Sequence, residues 1–244
     1  MLVTSSEEME VINFAGKVPV NIFKFRRDKH DFERGWETEY LSELIDTLKD
    51  RMVVFDIGAE NGEFTAMAAK VVGCEYVHIF EPSHEYWANI KGLWDANGFG
   101  FVGGCFEGYV GEKMDFNGID VVKIFDGRFP EIIPAKAFRD THHSVPTTDK
   151  QATISIDIYC NGKIAPNVIM MALEGAELSA LKGATGTIDR CAPIFFISIH
   201  NDQMIMERSA GTKQDIFNFF KERNYEAIHI NTDHEEHWKF YKQK

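Results

Sequence analysis

The chain has 244 residues, 44% of them apolar and 13% aromatic, enough to bury the core of one large domain. Its net charge of −12 excludes a broad basic surface for nucleic acid or anionic lipid, and the one basic cluster, "KFRRDKH" at 24–30, is short and interrupted by Asp28, so it reads as a solvated turn. No apolar run approaches the roughly 18–20 residues that cross a bilayer, and "MLVTSSEEMEV" has neither the basic nor the apolar region of an export signal, so a cytoplasmic location is expected.

In chain order, "MEVINFAGKVPVNIFKF" (9–25) predicts two strands around Ala15-Gly16-Lys17, within an N-terminal β extension over 1–31. "FERGWETEYLSELIDTLKD" (32–50) places Trp36, Tyr40, Leu41, Leu44, Ile45 and Leu48 on one helical face. A strand from Met52 to Asp56 then opens an alternation. A helix follows at 62–72, a strand at 76–81, a helix at 84–97 and a third strand in "FGFVGG" (99–104). Further on come a buried strand in "NVIMMAL" (167–173), a helix from Ala176 to near Gly183, and a buried strand in "PIFFISIH" (193–200). A helix at 212–224 with Thr212 as N-cap precedes two short strands, "EAIHI" and "HWKFYK", that form a C-terminal antiparallel hairpin. Apolar strands alternating with amphipathic helices imply an α/β fold, a mainly parallel sheet with helices on both faces. The segment 105–165 breaks the rhythm with glycines, prolines and the β-prone pieces "IDVVKIF" and "ATISIDIYC". It reads as an insertion between core strands, a candidate lid on the acceptor side of one domain spanning 1–244.

The turn "VVFDIGAENGEFT" (53–65) asks which nucleotide it serves. A dinucleotide fingerprint counted from Gly58 wants glycines at 60 and 63, and both are glutamates. Glu60, Glu63 and Asp56 would crowd a pyrophosphate with like charge, whereas an adenosine carrying a cationic centre suits them. Glu81 ends the second strand 25 residues after Asp56, where an acid can accept both ribose hydroxyl protons. S-adenosylmethionine is such a ligand. Asp56, Gly58, Ala59, Asn61, Gly62 and Glu81 are its candidate contacts, with Cys105 and Phe106 placed to sandwich an adenine.

"VVFDIGAENGEFTAMAAK", "VHIFEPSHEYWANIKGLWDANG", "ATISIDIYC" and "IMMALEGAELSALKGA" together resemble the FkbM-type family of S-adenosylmethionine-dependent methyltransferases, in order across about residues 33–230. The resemblance implies a class I methyltransferase (Rossmann-like) fold and methyl transfer, often to hydroxyls of sugars or secondary metabolites. The family pattern carries an acid where this chain has Ala172. A small-molecule or glycan acceptor is therefore expected, with no nucleic acid and no membrane, while the N-terminal strands and the insertion are candidate homodimer contacts.

Three residues are candidates for the chemistry. His200 closes the fifth strand, either as a neutral general base or as a structural histidine. Glu174 follows the fourth strand as base, acceptor-orienting group or helix-end carboxylate. Asp157 matches a family position but reads equally as an insertion-strand residue. The pair His142-His143 has no third ligand at useful spacing, so no metal is expected. Two other functions share such a corner: a non-catalytic S-adenosylmethionine-binding module that lost the acid at 172, and a nicotinamide or nucleotide-sugar enzyme.

Overall fold

The computed structural model describes residues 9–23, 37–115, 128–130 and 151–243; "KFRRDKH", Trp36, "IDVVKIF" and His142-His143 lie outside them. The first strands pair as expected. β1 (Met9–Phe14) runs antiparallel to β2 (Val18–Phe23) through the left-handed Ala15 and Gly16. This hairpin is a separate sheet, not an edge of the main one.

The main sheet has seven strands: β3 (Val54–Ile57), β4 (Val77–Phe80), β5 (Gly104–Phe106), β8 (Val168–Ala172), β9 (Ile194–Ile199), β10 (Glu226–Thr232) and β11 (Glu236–Tyr241). Their order is β10-β11-β9-β8-β3-β4-β5. β5, β4, β3, β8 and β9 are parallel, and β11 is antiparallel to both β9 and β10. The terminal hairpin thus inserts its last strand into the sheet. A further pair, β6 (Tyr109–Val110) and β7 (Thr153–Ile154), stands apart. The chain leaves β3 toward β4 and later returns on its other side as β8. The boundary between β3 and β8 is therefore the topological switch point, where α/β sheets open a crevice beyond their carboxyl ends.

Both faces are covered, as parallel strands require. Val54 faces one core with α1 (Thr38–Thr47), α2 (Glu63–Val72) and α3 (His84–Ala96), while Phe55 and Ile57 face the other. The second core is closed by α4 (Ile156–Cys160), α5 (Glu177–Lys182), α6 (Thr185–Cys191), α7 (Asp202–Ser209) and α8 (Lys213–Lys221). Gly92 in α3 leaves room for the Phe23 ring, since a Cβ there would come within 2.6 Å of it, so the N-terminal hairpin is locked onto the helical layer. Thr212 caps α8 in a reciprocal capping box with Asp215.

Three local readings change. The third strand lies at 104–106, not 99–104, and Phe101 is 92% exposed. Strand pairing begins only where Gly104, which has no Cβ to strike the His78–Tyr159 pair, can pass beside β4. "SIDIYC" is helical despite its β-branched residues: Ser155 accepts the N–H of Ile158, and Ile156, Tyr159 and Cys160 find burial on one side. Past Gly183 the chain re-enters a helix, α6, and Asn201 caps the unforeseen α7 by accepting the N–H of Met204.

Aromatic packing ties α8 to the sheet. Phe220 stacks on Phe240 at 4.0 Å and meets Phe195 edge-on at 5.1 Å, all three fully buried. Phe220→Ala should therefore cost about 3–5 kcal/mol of folding stability, read as a lower urea midpoint, and Thr212→Ala only about 1 kcal/mol.

Candidate active site

At the carboxyl end of β3 the backbone enters left-handed conformations at Gly58 (φ +87°), Glu60 (+48°) and Gly62 (+86°). Gly58 and Ala59 both donate to the carbonyl of Phe80, at 2.9 and 3.2 Å, and Gly62 donates to Ala59 at 2.8 Å. Gly58 is required twice over: its φ suits glycine, and a Cβ would drive into the carbonyl oxygen of Ala172. At Gly62 a Cβ would come within 3.0 Å of Ile90, so the glycine lets α2 approach α3.

Acids hold this corner together. The buried carboxylate of Glu81 accepts N–H groups from both neighbouring turns, Glu60 at 2.8 Å and Ser83 at 2.7 Å. Burial pushes its carboxyl up to about 8 against those two donors, with the charges of Glu60 and Asp56 adding to the rise. Asp56 accepts the hydroxyl of Thr65, and burial raises it to about 6. Asn61, 2% exposed, donates to Glu60 at 3.0 Å and accepts from Asn89 at 2.6 Å. The buried Oδ1 of Asn89 has no hydrogen-bond partner. Two buried acids and an open amide oxygen suit a ligand rich in hydroxyl and amine donors that carries positive charge, and S-adenosylmethionine fits that description. Glu81 could accept its ribose hydroxyls, and Glu60 and Asn61 line the turn beside it.

Cys105 and Phe106 do not form an adenine sandwich. They are consecutive on β5 and point to opposite faces: Cys105 packs in the core of α1–α3, and Phe106, 1% exposed, in the other core against Phe80.

A second group of acids surrounds His200 beyond β8 and β9. Glu174 sits just past β8 with φ +51°, and its side chain is 69% exposed. Glu177 opens α5 and is fully buried; its Oε1 accepts the N–H groups of Leu173 and Gly175, both at 3.2 Å, and lies 2.7 Å from Nδ1 of His200. Nε2 of His200 faces Oε1 of Glu235 at 2.9 Å and Oε1 of Glu174 at 3.6 Å. Burial alone would lower the imidazole, but the carboxylates of Glu174, Glu177 and Glu235 outweigh it and push His200 up to about 12. The expectation of a neutral His200 base is thus corrected, since three carboxylates favour the cation. The approach of His200 is also the main reason Glu174 is held below its usual range.

Asp157 joins neither group. Its carboxylate accepts the N–H groups of Gly186 (2.9 Å) and Thr187 (2.6 Å) in the first turn of α6, a structural use in place of the catalytic one expected. Glu235 and Asn89, by contrast, were not anticipated. The sole sign of Glu235 is the acid- and histidine-rich loop "TDHEEH" (232–237), whose Asp233 and His237 also pair at 3.0 Å beside Glu37.

Among solved structures, the chain is similar to methyltransferase FkbM from Methylobacillus flagellatus KT, with 18% identity and a TM-score of 0.50 over 80% of this chain. It spans less than half of that protein, 44% of its length. An rRNA methylase from Streptococcus thermophilus matches 90% of this chain and 99% of its own at 15% identity and a TM-score of 0.44. A putative methyltransferase from Streptococcus mutans, in complex with SAH, matches 83% and 94% at 10% identity and a TM-score of 0.45. No curated protein matches the chain. The methyltransferase FkbM domain matches residues 56–227, from the acid of the first turn to the start of β10, and the chain belongs to the FkbM methyltransferase family.

Proposed function

We propose that this protein transfers a methyl group from S-adenosylmethionine to a hydroxyl of a small molecule or carbohydrate. The observation that supports it is the adjacency of two sites at the switch point. The acidic corner of Gly58 and Glu81 touches the carbonyl of Ala172, and two residues further on Glu174 begins the carboxylate group around His200. The acidity of the second site favours an uncharged acceptor over a phosphorylated one. The largely exposed side chain of Glu174 gives such an acceptor a place to enter. Free thiols at Cys74, Cys105, Cys160 and Cys191 suit a reducing cytoplasm, and among the described residues no helix is long and apolar enough to cross a membrane.

When bound, S-adenosylmethionine supplies an electrophilic methyl on a positively charged sulfur. Glu81 would fix the ribose, and the left-handed turn at 58–62 would lie beside the ligand's amino-acid end. Orientation of this kind can contribute about 7–11 kcal/mol to a displacement. Glu174 accepts a hydrogen bond from the acceptor hydroxyl because its carboxylate is open, whereas both nitrogens of the buried His200 already face carboxylates. As the new O–CH3 bond forms, the C–S electron pair returns to sulfur and the hydroxyl proton passes to Glu174 and then to water. Glu177 and His200 hold Glu174 in place throughout. A second reading, a module that binds the donor without turnover, is favoured by the methyl of Ala172 where the family pattern has an acid.

Calorimetry should show binding of S-adenosylmethionine and not of NAD. Turnover on a panel of sugars and small alcohols, read as S-adenosylhomocysteine release, separates enzyme from module: binding with no turnover that appears only in Ala172→Asp would overturn the catalytic reading. Ribose hydroxyls bind the ionised form of Glu81, so donor affinity should rise about tenfold per pH unit between pH 6 and 7.5 and level off above 8, and Glu81→Gln should flatten this profile while weakening binding. Stability of the ligand-free protein should run the other way. Because the folded carboxyl is raised above its unfolded value, ionising it costs stability, which falls as pH climbs toward about 8. Glu81→Gln should reduce that slope in thermal melts from pH 5 to 9, leaving the parts that Asp56 contributes near pH 5–6 and His200 above 6.5.

A further inference from the structure

We infer that His200, Glu174 and Glu235 form a binding site for one divalent transition-metal cation, and that this cation holds the acceptor oxygen. The existence of the site stands on its own geometry; only its use in catalysis rests on the methyltransferase reading. One ligand atom from each residue can be chosen so that all lie within 4.8 Å of one another. Nε2 is 2.9 Å from Glu235 Oε1 and 3.6 Å from Glu174 Oε1. A cation with bonds of about 2.0–2.2 Å holds neighbouring ligand atoms about 3.0 Å apart at right angles and about 3.4 Å apart in a tetrahedron. Both Nε2 distances lie close to that spacing.

The imidazole gives an independent indication. His200 is 5% exposed, yet its Nε2 makes no aligned hydrogen bond and is aimed between the two carboxylates. The other nitrogen is fixed by Glu177, itself anchored by the N–H groups of Leu173 and Gly175. A carboxylate that orients a histidine through one nitrogen and leaves the other free is the usual support behind a metal-bound imidazole. Charge points the same way. Three carboxylates meet the His200 ring, with Nε2 of His234 3.4 Å from Glu235 Oε1, and among the described residues no lysine or arginine comes within ion-pair distance of any of them. One nitrogen with two carboxylate oxygens suits Mn2+, Zn2+ or their neighbours better than Ca2+.

The adjoining group of Glu37, Asp233, His234 and His237 is a weaker candidate, because His237 already pairs with Ser198 at 2.9 Å and Asp233 at 3.0 Å. At the His200 site three ligands leave positions open. An acceptor hydroxyl bound there would lose its proton to the second oxygen of Glu174 and on to water, and its oxygen would take the methyl as the C–S pair returns to sulfur.

The test uses the full chain, stripped with chelator and titrated with Mn2+ while the free-ion electron paramagnetic resonance signal is followed, with Zn2+ as competitor. One Mn2+ should bind per chain. Glu174→Gln and Glu235→Gln, both on exposed or loop backbone, should each weaken it about tenfold or more, and Glu177→Gln should weaken it by about 10- to 100-fold. Asp233→Asn should leave it within about twofold. Circular dichroism confirms that each variant is folded. Absence of stoichiometric uptake of either metal, uptake indifferent to both Glu174→Gln and Glu235→Gln, or uptake abolished by Asp233→Asn instead would overturn the site. Donor binding by the metal-free chain is measured separately. If S-adenosylmethionine binds and Mn2+ does not, the cation site alone falls; if Mn2+ binds and S-adenosylmethionine does not, the functional reading falls and the site stands.

Discussion

The backbone of the first core strand turns directly over the carbonyl of Ala172, at a distance that admits no side chain on Gly58. That close approach joins β3 to β8 at the point where the sheet order reverses. Everything that distinguishes the site lies on one side or the other of this contact. On the β3 side the chain adopts three left-handed residues within five positions, and the N–H groups of Gly58, Ala59, Glu60 and Gly62 are taken up inside the corner by Phe80, Ala59 and Glu81. On the β8 side the chain leaves Ala172 and again goes left-handed, at Glu174 and Gly175. A non-glycine residue held there is strained, and such strain persists only where surroundings fix it. Here Glu177 does so, by accepting the N–H of Gly175 and Leu173 together.

The two sides also use charge differently. At the donor corner, burial raises Glu81 and Asp56, so the free protein holds these acids partly protonated and a ligand with hydroxyl donors favours their ionisation. Around His200, burial is overridden by three carboxylates that share one ring. The first arrangement awaits hydrogen-bond donors; the second awaits positive charge. Neither suits a pyrophosphate, which is why an NAD-type reading of the same strand–turn–helix finds no support in the geometry.

Much of this was legible in the sequence, and the reasons for the misses are specific. Continuous apolar strands and helices of period 3.6 marked the layers, and the acids at 56 and 81 marked the corner, because these signals are local. The "SIDIYC" helix was hidden because Ile156 and Ile158 favour strands, and only a serine cap and tertiary burial decide otherwise. Cys105 and Phe106 were misjudged by proximity to a strand end, when alternation on β5 sends them to different cores. His200 was visible as a strand-terminal histidine, but its protonation depends on Glu235, 35 residues on. No periodicity or spacing links those two positions; the insertion of β11 between β9 and β10 does.

That insertion bears on the alanine at 172. Had the sheet ended at β9, the carboxylates at His200 would come from the β8 turn alone, Glu174 and Glu177, and loss of an acid at 172 would leave the site short of charge. Because β11 runs antiparallel to β9, with Glu236 opposite Ile199, the hairpin loop is carried to the same end of the sheet as His200. Glu235 thereby arrives beside Glu174 at Nε2 of His200, while Glu177 holds Nδ1. The region around His200 is thus set by Glu174, Glu177 and the hairpin, without a carboxylate at 172.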